Sequence, residues 1–529
     1  MGTAAGGKTM MKSGREIELK LSVRPDDLAR VAQSSCLRPP GARRAFTRNL
    51  KSVYYDTPDF ALRAHDLVLR VRQTGQRYVQ TVKTRPVAGN GVMNRGEWEA
   101  KLSGPAPDLA RIAAADMRET LDDAAGKLAP VFTTLIRRTT RRIERGNEAS
   151  VEVVVDRGEL VSQRGSEAVY EIELELKQGR PAALFDFALA LNEVAPVHLE
   201  TRSKSDRGYA LLMGAAFAWS KSGALILDPA MSGAEAFEII VRHNLAHLLA
   251  NEAAARDGRD PEGVHQMRLA LRRLRSALTV FAPLLPADLL HHIKQELRWL
   301  ASELGPARDL DVFGAELLGP VRAAFAEDSD LAVLEAATQD MRREAYERVR
   351  AAFATTRFTG LLLRLGRLTE ASAWQEQLDL DQAVQLAAPV RNFACDLLTR
   401  RHDKARKRGR GFGKLSGEDR HALRLALKRL RYAGEFFRSL YDKGATAPYL
   451  KRLSRLQDTL GHLNDVETAT RLLEQVQERA KHAGTEKLHR AAGLVIGWHR
   501  RGAANLEPKL RRQWRAFKSE APFWADDPA

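Results

Sequence analysis

From residue 16 to about residue 214, apolar and polar residues alternate with period two, the spacing of strands whose two faces meet different surroundings. In Glu16-Ile17-Glu18-Leu19-Lys20 two carboxylates and an ammonium share one face, and Ile17, Leu19 and Leu21 share the other. A solvated sheet edge would account for that stretch alone. The pattern recurs, however, in Leu69-Arg70-Val71-Arg72, in 78–83, in Glu97-Trp98-Glu99-Ala100-Lys101, in 151–156, and in 171–176 with Lys177 beyond. Thr74-Gly75, Ala88-Gly89-Asn90-Gly91 and Arg164-Gly165-Ser166 punctuate these runs as antiparallel hairpins require. Helices are expected at 25–33, 107–115 and 182–192, packed outside the strands. A wet face that is repeatedly Glu, Arg or Lys fits a closed or nearly closed barrel with a polar lumen. Acidic residues there would hold cations and basic residues an anion, an arrangement suited to a metal-complexed phosphate chain.

Between Gly214 and Gly233 the period-two signal stops, and after Ala234 the apolar spacing becomes three and four, the mark of helix throughout. The expected division is a strand-rich domain at 15–214, a linker at 215–233 and a helical domain at 234–520. The helical part repeats itself at an offset of 156. His265-Gln-Met-Arg268-Leu-Ala-Leu-Arg272-Arg273-Leu-Arg275 answers His421-Ala-Leu-Arg424-Leu-Ala-Leu-Lys428-Arg429-Leu-Arg431, and Leu304-Gly305 and Asp309 answer Leu460-Gly461 and Asp465. Duplication of a helical bundle is the simple explanation. His265, Arg268, Arg272 and Arg275 fall within an arc of about 80° on a helix, and His421, Arg424, Lys428 and Arg431 repeat it. Like charges at i,i+3 and i,i+4 repel. Such a stripe, twice present, points either to an anionic partner or to internal partners, with Asp309, Asp311 and Asp465 as candidates.

Composition narrows the picture. The net charge is +17 over 529 residues, and both halves are basic, so polyanions are favoured: nucleic acid, anionic lipid or polymeric phosphate. The repeated basic helices carry almost no aromatic residues beyond Tyr432, which disfavours nucleic acid. No apolar run approaches the length of a membrane span, and no apolar region follows the lysines of the first residues, which read as a loose tail with Arg15 or Glu16 the first structured residue. Cys36 and Cys395 have no metal-ligand spacing, so a disulfide framework is excluded and a reducing cytoplasm is the expected location. Eleven of the thirteen histidines lie in the second half; His243 and His247 are expected in the groove or core rather than as metal ligands. The basic run 400–410, with its glycines, is expected to be a mobile loop.

Glu16-Ile-Glu18-Leu-Lys20 resembles the ExExK signature that opens CYTH domains, the triphosphate tunnel metalloenzymes. The likeness continues in order through Tyr54-Tyr55-Asp56-Thr57-Pro58, Leu69-Arg70-Val71-Arg72, Lys83, Arg95-Gly-Glu97-Trp98, Arg138, Glu152 with Asp156, Glu171-Ile-Glu173-Leu-Glu175 and Ser203-Lys204-Ser-Asp-Arg207-Gly208-Tyr209. It is most similar to the bacterial inorganic triphosphatase branch that carries a helical domain behind the tunnel. The resemblance implies metal binding by Glu16, Glu18, Asp156, Glu171, Glu173 and Glu175, with Mg²⁺ or Mn²⁺ as cofactor. It implies phosphate binding by Lys20, Arg70, Arg72, Lys83, Arg138 and Lys204, with Glu16, Glu18, Lys20, Lys83 and Arg138 as the catalytic set. Glu97, Glu152 and Asp156 would face the same lumen, as ligands or as partners of the basic groups. For Arg72, Glu99 and Arg137 a structural or solvated ion pair is an equal alternative. No Ser, Cys or His is placed as a nucleophile in these strands, so attack by water is expected.

The repeated His-x-x-Arg-x-x-x-[Arg/Lys]-Arg-x-Arg pattern resembles the CHAD domain, over about residues 230–520. That resemblance implies two pseudosymmetric four-helix bundles facing each other across a basic groove with affinity for inorganic polyphosphate. The polyphosphate-binding residues would be His265, Arg268, Arg272, Arg273, Arg275, His421, Arg424, Lys428, Arg429 and Arg431. The expected whole is an α+β multidomain protein, an antiparallel β-barrel with outer helices followed by an all-α domain. It would hydrolyse inorganic triphosphate and bind polyphosphate, and could associate with polyphosphate granules. The alternatives are a binding protein for polyphosphate or nucleic acid with a silent tunnel, or an enzyme acting on an organic triphosphate. Neither the oligomeric state nor the coupling of the domains is legible.

Overall fold

The computed structural model describes residues 12–39, 44–85, 89–112, 117–145, 149–214, 217–370, 372–479, 485–504 and 506–525. The chain divides into two compact units, one of residues 1–217 with 354–371 and the other of 218–353 with 372–529. The first residues, expected to form a loose tail, lie outside the described residues up to residue 11, and the opening strand begins at Lys12 rather than at Arg15 or Glu16.

The first unit contains β1 (Lys12–Val23), β2 (Phe46–Asp56), β3 (Leu67–Thr74), β4 (Arg77–Thr84), β5 (Val92–Leu102), β6 (Ala129–Arg145), β7 (Ala149–Ser162), β8 (Gly165–Gln178) and β9 (Val197–Leu199). The strands follow the order β5-β4-β3-β2-β6-β7-β8-β1, and β5 pairs back onto β1, closing an antiparallel eight-strand barrel. β9 adds to β1 outside that ring. Gly75, at φ +58°, opens the two-residue turn between the paired Thr74 and Arg77, a left-handed conformation that glycine adopts without steric cost.

Closure sorts the side chains. On the outside, Leu19, Leu21, Ile172 and Leu174 are buried against the helix Ala182–Val194, whose Leu184, Phe185, Phe187 and Leu191 are fully covered. Across the barrel, Leu67, Leu69 and Val82 pack with Leu62 and with Leu121 and Ala124 of the helix Arg118–Ala124. Each such Leu or Phe contributes about 1.5–3 kcal/mol by leaving water. Inside, Leu50, Tyr54, Phe132, Ile136 and Tyr209 form an apolar cluster. Asp56, fully buried, anchors it by accepting bonds from Leu62 N at 2.9 Å and from the Tyr209 hydroxyl.

Two helix expectations change. Segment 107–115 forms only the 3₁₀ turn Leu109–Arg111, because the Asp108 side chain caps Ala110 N and turns the chain; residues 113–116 lie outside the described residues. The helix Lys204–Met213, not expected, starts at a capping box in which Ser203 and Asp206 satisfy each other's backbone N–H.

The second unit is helical. Gly233–Asp257, Glu262–Val280, Ala287–Val312 and Ser329–Phe353 precede Val390–Arg408, Gly417–Phe437, Lys443–Arg479, Thr485–Ala504 and Glu507–Lys518. The two helices that carry the repeated basic motif, Glu262–Val280 and Gly417–Phe437, pack against each other. The run 400–410 is not a loop: residues up to Arg408 continue the helix Val390–Arg408, and Gly409 and Gly411 lie past its end rather than within it. Among the described residues, no helix is long and apolar enough to cross a membrane.

Candidate functional site

Every strand of the ring lends one or more side chains to a lumen of about 500 Å³. Strand register sets them in rows. Glu18 on β1 faces Glu175 on β8, which faces Glu152 on β7, so three adjacent strands bring three carboxylates side by side. Directly opposed side chains of neighbouring strands lie about 5 Å apart. The next row pairs Lys20 with Glu173, and the one beyond pairs Glu171 with Asp156 and Asp156 with Arg138.

The buried charges are paired by a network, which is what allows them to remain inside. Lys83 Nζ lies 2.7 Å from Glu16 and 2.9 Å from Glu97. Arg95 donates through Nε to Glu16 at 3.1 Å and through Nη2 to Glu18 at 2.7 Å. Lys20 lies 3.2 Å from Glu18 and 3.5 Å from Glu173. Arg138 binds Asp156 and Glu173, the latter at 2.7 Å. Lys204, entering from the first turn of its helix, lies 2.9 Å from both Asp156 and Glu173 and also bonds Glu171.

The pairing is uneven, and the unevenness has a direction. Glu175 is held above the usual carboxylate range by burial and by Glu16 and Glu152 beside it, although Lys177 pairs with it. For Glu16 burial acts upward too, but Lys83 and Arg95 outweigh it and bring the group down to about 2. Elsewhere in the lumen cations are in surplus. Arg72 is pulled down to about 9 by burial and by Arg70 and Arg138. Among the described residues it makes no ion pair within 4 Å, and its side chain reaches only Ser52 Oγ at 3.4 Å. Arg70 approaches Glu97 no closer than 3.6 Å, and its buried Nε has no hydrogen-bond partner among the described residues. Tyr54 is lowered despite its burial, because Arg70, Arg72 and Lys204 lie near its hydroxyl.

Of the residues expected in the tunnel, Glu16, Glu18, Lys20, Arg70, Arg72, Lys83, Arg138, Asp156, Glu173, Glu175 and Lys204 line the lumen, as do Glu97, Glu99 and Glu152. Glu171 does not line it: it is fully buried with its oxygens bound by Lys204 and Arg207. Arg137 is exposed on the outer face of β6. Sequence reasoning gave Arg95 no role, although it shares the face of Glu97 and Glu99 two and four positions on. It also missed serines in the lumen. Ser203 is occupied by its helix cap, and Ser52 bonds Arg72, a cation and not a base.

The row Glu18, Glu175 and Glu152, with Glu16 beside it, offers carboxylate oxygens suited to a hard divalent cation such as Mg²⁺ or Mn²⁺. A second acidic group, Asp156, Glu171 and Glu173, has ligand oxygens within 4.8 Å of one another. Its charge is met by Lys204, Arg138 and Arg207, as that of the first row is by Lys20, Lys83, Arg95 and Lys177.

The helical unit holds a larger cavity of about 870 Å³. Arg268, Arg272, Arg275, Arg424, Lys428 and Arg431 from the repeated motifs line it, joined by Arg298, Arg308 and Arg471, against Asp309, Glu316 and Asp458 as the acidic residues among those described. Burial together with Arg272, Arg424 and Arg431 lowers Lys428 to about 8. His265 also lines it and is lowered to about 4 by burial and by Arg308. Arg273, Arg429 and His421 do not line it. Arg273 and Arg429 each follow the stripe by one residue, a step of about 100° round the helix. Arg273 turns to Glu435 at 3.5 Å, while Arg429 and His421 are exposed.

Of the proposed internal partners, Asp309 reaches Arg268 only at 3.8 Å, and Asp311 pairs instead with Arg342 at 2.7 Å and Tyr346 at 2.8 Å. The side chain of Asp465 lies outside the described residues. His243 and His247 lie away from this cavity, bonded to Ser222 and Gln266.

Residues 14–209 match the CYTH domain, and residues 239–474 match the CHAD domain. Among curated proteins, the inorganic triphosphatase of Haemophilus influenzae is 31% identical over 198 residues, covering 37% of this chain and 55% of that protein. The chain thus spans about half the length of the curated relative it matches. Among solved structures, the CHAD domain from the plant Ricinus communis is 32% identical, with a TM-score of 0.49 over 56% of this chain and 97% of that one. A Hippeastrum protein named as an adenylyl cyclase, and described as revealing a dominant triphosphatase activity, is 19% identical, with a TM-score of 0.29 over 38% of this chain and 96% of that one.

Proposed function

With a CYTH domain at residues 14–209 and a CHAD domain at residues 239–474, we propose that this chain hydrolyses inorganic triphosphate in its barrel and holds inorganic polyphosphate in its helical unit. The observation that carries the reading is the division of charge within one closed lumen. Glu16, Glu18, Glu152 and Glu175 gather on one set of strands, while Arg72 makes no ion pair within 4 Å among the described residues and Arg70 reaches Glu97 only at 3.6 Å.

Glu16, Glu18, Glu152 and Glu175 would hold the divalent cation, Mg²⁺ or Mn²⁺. When bound, it supplies charge neutralisation at the phosphate oxygens and polarises water. The chain's own groups do the rest. Lys20, Arg70, Arg72, Lys83, Arg138 and Lys204 surround a linear polyanion and stabilise the charge spread over the transferred phosphoryl group. Because their backbones are fixed by strands or a helix and most are held by ion pairs, little reorganisation accompanies the reaction. Asp156, Glu171 and Glu173 position Lys204, and Arg95 orients Glu16 and Glu18. The lumen serines are otherwise engaged, Ser52 with Arg72 and Ser203 with Ser205 and with the Asp206 carboxylate of its helix cap, which supports attack by water. In the helical unit the surplus of guanidinium groups favours a featureless chain of phosphates.

The test is orthophosphate release from tripolyphosphate with and without Mg²⁺ or Mn²⁺. Release that needs the metal supports the reading, and its absence under both metals refutes the enzymatic part. Binding of long-chain polyphosphate by the full-length protein, lost on reversing Arg268, Arg272, Arg424 and Lys428 together, tests the second part; retained affinity would refute it.

A further inference from the structure

The tunnel unit includes a helix that lies, in sequence, inside the CHAD match. Thr356–Leu368 packs on the helix Ala182–Val194 and on β9, and buries Phe358, Leu361, Leu362, Leu365 and Leu368. Its polar contacts are as specific as its apolar ones. Thr359 Oγ1 donates to Val197 O of β9 at 2.7 Å, and Asn192 Nδ2 donates to Thr356 O at 2.8 Å. Asn90, only 2% exposed, donates to Thr369 Oγ1 at 2.7 Å and to Glu370 Oε1 at 2.8 Å. Gly366 sits so close that a Cβ would stand 2.3 Å from the Phe185 ring and 2.9 Å from Asn90 O.

The strand behind this helix leads to the lumen. β9 pairs with β1 at Leu21, Ser22 and Val23, directly after Lys20. Glu200 N, just past β9, donates to Lys20 O at 2.9 Å, and the chain then enters the helix that begins with Lys204. Both ammonium groups are buried and meet at Glu173, Lys20 at 3.5 Å and Lys204 at 2.9 Å. We propose that Thr356–Leu368 is a positioning element of the tunnel. It holds β9 against β1 and thereby fixes Lys20 and Lys204, so the lysine-bearing side of the closed barrel is braced by a segment contributed from within the helical half of the sequence. The part of this that concerns substrate rests on the function proposed above; the part that concerns the lysine-bearing segment does not.

The test uses the full-length protein with Thr359→Val, which removes one donor at nearly constant shape, and Gly366→Val, which wedges the helix from Phe185. Amide hydrogen exchange over 20–23 and 197–207 is compared with that over β6 and β7. Faster exchange in the first two segments alone is expected, together with a rise of about fivefold in the KM for tripolyphosphate at little-changed kcat, the size of one lost hydrogen bond. Unchanged exchange there in both variants overturns the proposal, and faster exchange with unchanged KM overturns the role given to the lysines. Should Gly366→Val not fold, Thr359→Val decides. If the wild type hydrolyses no triphosphate, the function proposed above fails, while the exchange data still decide whether the helix holds the segment.

Discussion

Arg95 Nη2 lies 2.7 Å from Glu18 Oε1, and its Nε lies 3.1 Å from Glu16 Oε2, so one guanidinium ties together the two lumen carboxylates of β1. A divalent cation held there, as proposed, would compete with it for the same oxygens. Arg95→Gln takes one of two cationic partners from each carboxylate, leaving Lys83 with Glu16 and Lys20 with Glu18, and costs about 2 kcal/mol of stability in metal-free protein. The carboxylate charge so released attracts a cation, so part of that loss should return on adding Mg²⁺, and the half-saturating Mg²⁺ should fall by about fivefold. Thermal unfolding in chelator and in Mg²⁺ checks this; an increased metal requirement would contradict it.

Arg72 presents the opposite case, a cation among cations. Burial with Arg70 and Arg138 draws it down to about 9. Relief of that repulsion in Arg72→Met should stabilise the metal-free protein by about 1 kcal/mol, a common gain where a site carries functional strain. The KM for tripolyphosphate should rise at the same time by about tenfold, the loss of a charge-assisted contact. Calorimetric melting and steady-state kinetics on one preparation measure both, and a variant that is less stable with unchanged KM would count against the assignment.

Lys204 holds Asp156, Glu171 and Glu173. Burial acts upward on Asp156 and Glu173, but Lys204 and Arg138 outweigh it and hold both below their usual range. A carboxylate lowered on folding stabilises above its unfolded value and loses that contribution as pH falls through the folded value. Lys204→Met removes much of this lowering. Asp156, Glu171 and Glu173 keep Arg138, Arg207 and Lys20, so the variant's stability deficit should be about 2 kcal/mol near neutral pH, and should shrink as pH falls below about 4. Urea unfolding from pH 7 to pH 3.5 in chelator tests the sign; a deficit independent of pH would exclude the ionic role.

In the helical unit, Lys428 is brought down to about 8 by burial and by Arg272, Arg424 and Arg431. A bound polyanion favours the charged ammonium and raises that value. Polyphosphate binding near pH 8.5 should therefore take up protons, and uptake should decline toward pH 6.5, where Lys428 is already charged. Calorimetry in buffers of different ionisation enthalpy reads the proton count directly, and Lys428→Met should abolish the difference. Equal heats in all buffers at pH 8.5 would rule this out.

Much of the barrel was legible because its lumen is the one place where a strand face must be charged. The alternation in 16–20, 97–101, 152–156 and 171–177 is that face seen residue by residue. The lumen positions of β2 and β6 were less visible, since Leu50, Ser52, Thr134 and Ile136 carry no charge to betray their side. Arg95 was hidden by its neighbours: with Gly96 between it and Glu97, only the β5–β1 closure shows that it faces β1. The basic stripe was readable from helical phase, whereas Arg298, Arg308 and Arg471 reach the same cavity from helices whose repeated positions, Leu304-Gly305 and Asp309 with Leu460-Gly461 and Asp465, include no basic residue. The helix Thr356–Leu368 was readable as a helix. Phe358, Leu361, Leu362 and Leu365 make an ordinary apolar side, and periodicity does not say which partner buries it.

The row Glu16, Glu18, Glu152 and Glu175 is proposed to serve a cation-dependent hydrolysis of inorganic triphosphate. The most direct measurement is orthophosphate released from tripolyphosphate across a Mg²⁺ titration, wild type beside Glu18→Gln. The account predicts metal-dependent release by the wild type and a loss of at least about a hundredfold in kcat/KM for Glu18→Gln, about 2.7 kcal/mol of transition-state stabilisation. Release by Glu18→Gln at the wild-type rate, or none from the wild type at any Mg²⁺ concentration, would contradict it.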